Sequence, residues 1–135
     1  MVAAIANPAY WNDDVMNDQM TFFNQMMGMV LAINLSHHYL GHYSQVAGQL
    51  AGGKTAPINN LLAPDDWEAG VRAATLNCLD AALTTEGAKA LFEAVGKLPQ
   101  RPAWTCYIAP PKADLKKLNK RLAEYEALYF KGGLK

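Results

Sequence analysis

The chain has 135 residues, of which 51% are hydrophobic and 18% are charged, and its 12 basic side chains balance its 12 acidic ones. This composition excludes an intrinsically disordered chain, which would be poor in hydrophobic residues and rich in net charge. A formal net charge of zero argues against nucleic-acid binding, because that function needs a basic surface. The length fits a single domain over residues 1–135, or a piece of a larger one.

The cellular compartment of the protein can be inferred from its cysteine content and its N-terminal segment. The two cysteines, Cys78 and Cys106, are too few for a disulfide scaffold. Residues 1–8 contain no basic residue and no long apolar run, so no signal peptide is expected. The most apolar stretch, residues 22–35, is too short and too polar to span a membrane. We therefore expect a cytoplasmic protein without membrane association.

The first predicted element is one long helix over residues 13–50, within a histidine-bearing region of residues 1–60. No proline interrupts residues 9–56, Asn12 can cap the start of the helix, and Gly52 and Gly53 can end it. From Phe22 onward the helix is apolar on nearly every side, so its surface must be covered. A homodimer that pairs two such helices would cover it, and a central position in a larger bundle is the alternative.

Residues 61–135 are expected to form two to three shorter helices. Asp65 and Glu68 resemble a loose capping box, residues 97–111 are irregular with a short extended piece at 104–108, and Asp114 can cap the last helix. The sequence thus predicts an all-α helical bundle with one long central helix. The predicted apolar stripes are Trp67, Val71, Ala74, Cys78, Ala81 and Ala82, then Ala88, Leu91, Phe92 and Val95, and last Leu115, Leu118, Leu122, Tyr125 and Tyr129.

The last helix carries a cluster of basic side chains at Lys116, Lys117, Lys120 and Arg121. One interpretation is a patch that binds phosphate or an acidic partner. The other is the solvated face of an amphipathic helix, which is the commoner reason for such a cluster.

All three histidines lie at positions 37, 38 and 42. On a continuous helix His38 and His42 share one face, about 40° apart, whereas His37 lies about 100° from His38. Neutral imidazole is the commonest protein ligand for zinc and nickel. We therefore predict that His38 and His42 hold one divalent ion and that His37 does not. A third group is needed, and the candidates are Gln45, Asn34, Asp80, Glu86 or the same histidine pair of a second copy.

One alternative accompanies this prediction. The polar residues around His38 can also be an ordinary solvent face. On the neighbouring strip, Gly41 and Gly48 each cost the helix about 1 kcal/mol relative to alanine, so they predict that another backbone approaches closely.

The pattern His38-x3-His42-x2-Gln45, followed by a glycine-containing loop with Pro57, resembles the last metal-binding helix of the DinB/YfiT-like proteins. Those proteins commonly read His-x3-His-Arg-Gly-Gln there, and the resemblance covers residues 20–58. It implies a four-helix bundle whose zinc or nickel ion is held by the histidine pair and by a third histidine from an earlier helix. Here Tyr43 and Ser44 replace Arg-Gly, and no histidine precedes His37.

Two functions follow as hypotheses. The first is a divalent-metal-binding bundle that resembles the DinB-like thiol-dependent transferases and isomerases, with a small-molecule substrate and a metal-activated water or thiol. The second is a non-enzymatic dimerisation or interaction domain with surface histidines. No complete catalytic set is visible, so enzymatic activity stays open. Cys78 is expected to be buried and inert, and Cys106 to be either packed or a reactive loop thiol.

Overall fold

A computed structural model of the chain describes residues 13–50, 57–110 and 113–132. Its α-helices are α1 (Asp13–Tyr39), α2 (His42–Val46), α3 (Pro64–Asp80), α4 (Glu86–Gly96) and α5 (Leu115–Phe130). Shorter 3₁₀ helices cover Ala47–Leu50, Ile58–Leu61 and Ala103–Tyr107. These described ranges contain no β-strand, and the predicted all-α bundle is confirmed.

The core forms where α1 packs against α3 and α4, and where α5 packs against the same two helices. Each helix contributes one apolar stripe, and burial of these stripes stabilises the fold at roughly 25 cal/mol per Å². The predicted stripes of the shorter helices are confirmed in their central residues. The core includes Met29 and Ile33 from α1, Trp67, Val71, Ala74 and Cys78 from α3, Ala88, Phe92 and Val95 from α4, and Leu115, Leu118 and Leu122 from α5.

Of the two helix caps predicted for α5 and α3, the first is confirmed and the second is wrong. The Asp114 carboxylate accepts hydrogen bonds from the backbone N–H groups of Lys116 at 3.0 Å and Lys117 at 3.3 Å, which confirms it as the cap of α5. By contrast, α3 begins at Pro64 and has no side-chain cap. Proline suits the first helical position, because its missing N–H would be unpaired there anyway. The predicted capping box of Asp65 and Glu68 is therefore wrong.

The predicted single helix over residues 13–50 is also wrong, because α1 ends at Tyr39. Gly41 adopts the left-handed conformation with φ of 80°, and α2 begins only at His42. The Leu40 N–H still donates to the Ser36 carbonyl at 2.8 Å, and the Gly41 N–H donates to the His38 carbonyl at 3.1 Å. A left-handed glycine is the commonest way to end a helix. The proposed caps Asn12, Gly52 and Gly53 lie outside the described residues.

The prediction that another backbone approaches Gly41 and Gly48 closely also differs from the structure. A Cβ added to Gly41 or Gly48 would meet no atom of the described residues within 4 Å, so no backbone in those ranges approaches either glycine closely. The close approach is instead at Gly87, where an added Cβ would lie 2.9 Å from the Met26 backbone nitrogen. Gly87 therefore lets the start of α4 pack tightly on α1.

Two smaller predictions need correction. Ala81 and Ala82 follow the end of α3 and lie in a turn, in which Ala82 has a positive φ of 62°. Residues 104–108 are not extended, because Ala103–Tyr107 forms a 3₁₀ helix closed by hydrogen bonds such as that from the Thr105 N–H to the Pro102 carbonyl at 3.0 Å.

Candidate functional site

The histidine cluster is divided by the end of α1. His37 in α1 and His42 in α2 meet with their Nδ1 atoms 2.9 Å apart, and both side chains are buried. His38 is exposed on α1. The structure therefore brings together His37 and His42 across the Gly41 break, and it does not place His38 and His42 on one continuous helix face.

Helix α3 encloses this buried pair. The His37 ring packs edge-on against Trp67 with ring centres 4.7 Å apart, and His42 Nε2 lies 3.7 Å from the Asp66 carboxylate. A Cβ on Gly70 would overlap the imidazole of His37, because it would lie closer to Cε1 than non-bonded carbon atoms can approach. Only glycine at position 70 leaves room for the imidazole of His37.

The neighbouring groups indicate which ring nitrogens of His37 and His42 carry a proton. The Asp66 carboxylate favours a proton on His42 Nε2, so a neutral His42 accepts at Nδ1 from the Nδ1–H of His37. His37 Nε2 is then a buried acceptor without a partner among the described groups. Burial is the largest cause that lowers the pKa of His37 to about 4, the neighbouring His42 acts in the same direction, and Asp66 opposes the shift. His37 is therefore neutral at pH 7.

Asn34, proposed as a supporting metal ligand, is fully occupied by hydrogen bonds. Its amide group donates to the carbonyls of Val30 at 2.8 Å and Tyr107 at 2.9 Å. Its oxygen accepts from the Tyr43 hydroxyl at 3.1 Å and from the Asn59 amide at 3.0 Å. Two donors and two lone pairs are all that an asparagine side chain offers. Asn34 therefore ties α1 to its neighbours and has no lone pair left for a metal.

The other proposed third ligands are Gln45, Asp80 and Glu86. Gln45 is exposed, Asp80 accepts a hydrogen bond from the Tyr129 hydroxyl, and Glu86 pairs with Lys89 at 3.5 Å. Over the described ranges, no three or more His, Cys, Asp or Glu side chains form a group that could hold a metal ion. A metal at His38 and His42 stays a prediction.

Both thiols are buried and unbridged. Burial raises the pKa of Cys78 and of Cys106, so each is a neutral thiol at pH 7. The predicted buried position of Cys78 is confirmed. For Cys106 the packed alternative holds, since the thiolate that a reactive cysteine needs is disfavoured.

A second feature of α1 is a row of exposed apolar side chains, which we call the α1 stripe. It consists of Met20, Phe23, Met27, Leu31 and Leu35, with exposed fractions of 45%, 38%, 40%, 57% and 65%. Residues three and four apart lie on one helix face, so the five side chains form a continuous row. The opposite face of α1 carries the buried core residues Met29 and Ile33.

The α1 stripe carries no charge of its own. Residues 19–53 contain no Asp, Glu, Lys or Arg. Monomeric proteins seldom expose a large continuous apolar row, and such rows usually mark interaction surfaces. Among the helices that the structure describes, none has the length and hydropathy needed to cross a bilayer.

Comparison of the chain with protein-family models, with curated proteins and with solved structures gives no match. The resemblance to DinB/YfiT-like proteins therefore depends on the motif from His38 to Gln45 and its flanking residues, and it remains a prediction.

Proposed function

We propose that this protein is a helical self-association module, in which two copies pair through their α1 stripes. The observation that carries the proposal is the continuous exposed apolar row on the longest helix of the bundle. This is the second of the two sequence-based hypotheses, with one change. The contact surface is the α1 stripe, and the histidines at positions 37 and 42 belong to the interior.

The geometry of the stripe suits helix–helix packing. Phe23, Met27, Leu31 and Leu35 follow one another at intervals of four residues, which forms a ridge along the helix. When such ridges of two helices interdigitate, the helix axes cross at an angle of about −50°. Methionine side chains are flexible and fill irregular gaps, so Met20 and Met27 can adapt to the opposing surface.

A second copy of the chain suits this surface better than a charged partner does. With no acidic or basic side chain in residues 19–53, two identical stripes meet without repulsion, as a symmetric interface requires. A single helix pair is smaller than a standard interface, which buries about 800 Å² on each partner. We therefore expect a dimer with a dissociation constant of roughly micromolar order.

Light scattering coupled to size-exclusion chromatography tests this proposal with a matched pair of variants. Leu31→Lys places a charge in the middle of the α1 stripe, where the native side chain is 57% exposed, so folding should be unaffected. The control is Leu128→Lys on α5, an exposed leucine outside the stripe. We expect Leu31→Lys to elute as a monomer and Leu128→Lys to dimerise like the wild type. Equal behaviour of the two variants would reject the α1 stripe as the interface.

Divalent metal binding is a second candidate, favoured by the close approach of His37 and His42. Two nitrogens bound to one tetrahedral zinc ion at about 2.1 Å lie about 3.4 Å apart, and the two Nδ1 atoms are 2.9 Å apart. Asp66 beside His42 Nε2 resembles the outer carboxylates that orient ligating histidines. The remaining ligands would be water or groups of a second copy, and the bound ion would act as a Lewis acid.

Calorimetric titration of untagged protein with zinc or nickel tests this candidate. If the buried pair binds the ion, His37→Ala and His42→Ala each abolish the binding heat, because one remaining histidine does not hold the ion. His38→Ala is the control and should bind as the wild type does. Loss in His38→Ala and His42→Ala but not in His37→Ala would support the sequence-based ligand pair instead. No heat with the wild type would reject metal binding.

A further inference from the structure

A cavity of about 490 Å³ lies between α3 and α5, on a part of the molecule that shares no residue with the α1 stripe or the histidine pair. Its volume is within the range of small-molecule sites, which are about 300–1,000 Å³. The chain segments just before each helix, around Leu62 and around Pro110, complete its walls.

The floor of the cavity is apolar. Leu62, Val71 and Leu118 border it and are otherwise buried in the core. Trp67 also borders it, and its indole N–H already donates to the Asn59 carbonyl at 3.2 Å. The floor is therefore apolar and leaves no unsatisfied donor, which suits the apolar body of a ligand.

The rim of the cavity is charged, and its two carboxylates are already engaged. Glu68 forms an ion pair with Arg121 and accepts a hydrogen bond from the Tyr125 hydroxyl at 3.3 Å. Asp114 is held by the backbone N–H groups that it caps. Lys117 also lines the cavity, and no described carboxylate forms an ion pair with its ammonium group. Lys117 is therefore the rim charge that is left to pair with a ligand.

We propose that this cavity binds a small amphipathic carboxylate, with its apolar body against the apolar floor of the cavity and its carboxylate at Lys117. Charge complementarity selects the acid over a neutral or cationic ligand of the same shape, because only an anion forms an ion pair with the ammonium group. The neighbouring Lys116 and Lys120 add to the positive potential along this edge of α5 without lining the cavity.

The test uses two probes with the same ring and opposite charge, 1-naphthylacetate and 1-naphthylmethylamine. Binding is followed by two-dimensional amide NMR of the full chain, with the Trp67 indole signal as the reporter of the cavity floor. We expect saturable shifts of cavity residues with the acid and an affinity about tenfold lower for the amine, which corresponds to about 1.4 kcal/mol. The same affinity for both probes, or shifts confined to the α1 stripe, would overturn the proposal.

A matched pair of variants then tests the role of the ammonium group. Lys117→Ala should weaken binding of the acid about tenfold. Lys120→Ala removes the same charge from the same helix but not from the cavity, and should change affinity by no more than about twofold. Ala113→Phe, which fills the cavity from its edge, should abolish the shifts. Equal losses in Lys117→Ala and Lys120→Ala, or unchanged binding in Ala113→Phe, would contradict the assignment.

Discussion

The side chain of His37 has no exposed surface and is enclosed by Trp67, Gly70 and His42. An imidazolium in this position would lose its hydration and face a second histidine, and the Asp66 carboxylate lies on the far side of that histidine. Neutral imidazole is therefore the form that the fold accepts. His37 acts as a packed core residue with one hydrogen bond, and its stability contribution depends on staying uncharged.

This enclosure predicts a loss of stability in mild acid. Burial lowers the pKa of His37 from 6.5 in the unfolded chain to about 4 in the fold. Between pH 6.5 and about 4, His37 binds a proton in the unfolded state but stays neutral in the folded state. The contribution of His37 to the free energy of unfolding is therefore fully present above about pH 6.5. It falls by up to about 3 kcal/mol as the pH drops to about 4.

Urea unfolding midpoints at several pH values, measured with EDTA present, check this prediction. His37→Asn should be less stable than the wild type at pH 7 but should lose a smaller part of its stability between pH 6.5 and 4. His38→Asn leaves the buried pair in place and should keep the wild-type pH dependence. A His37→Asn protein with the full wild-type dependence would show that other groups cause the acid sensitivity.

At the scale of elements, the end of α1 decides which histidines meet. A helical wheel extended through Gly41 places His42 beside His38, whereas the left-handed turn at Gly41 places it against His37. The sequence did contain a signal, because a glycine soon after a periodic apolar stretch is a common helix end. Periodicity alone could not show that the helix stops there, since His42 to Val46 is helical again.

Gly41 and Gly48 offer a matched test of this turn. Within the part of the chain that the structure describes, neither has an atom within 4 Å of an added Cβ, and of the two only Gly41 has a positive φ, at 80°. Gly41→Ala should lower the free energy of unfolding by about 1 kcal/mol, because an alanine is strained in the left-handed region. Gly48→Ala should have little effect or stabilise slightly. Denaturant unfolding of both variants measures the difference, and equal stabilities would contradict the left-handed turn.

The other elements show what the pattern of residues could and could not predict. The apolar stripes of α3, α4 and α5 follow from helical periodicity, so Trp67, Phe92 and Leu122 were predictable as core residues. The contacts of Asn34 with Tyr107 and Asn59 were not, because they join segments that are distant along the chain and have no periodic signal. The cavity beside Lys117 depends in the same way on how α5 packs against α3.

At the scale of the whole molecule, the helix lengths explain why one face of α1 stays uncovered. Helix α1 has 27 residues, whereas its neighbours α3 and α4 have 17 and 11. At 1.5 Å per residue, α1 is about 40 Å long. The two shorter helices pack on the side that bears Met29 and Ile33, and the described chain supplies no helix for the α1 stripe on the other side. The sequence predicted that the surface of this helix is covered. Within one chain, the described helices cover only one face of α1.

The most direct test of self-association is sedimentation equilibrium of the wild-type protein from low to high micromolar concentration. Pairing through the α1 stripe predicts an apparent mass that rises from one chain to two as the concentration increases, and it predicts that Leu31→Lys keeps the mass of one chain throughout. A wild-type protein that keeps the mass of one chain over the whole range would contradict the account.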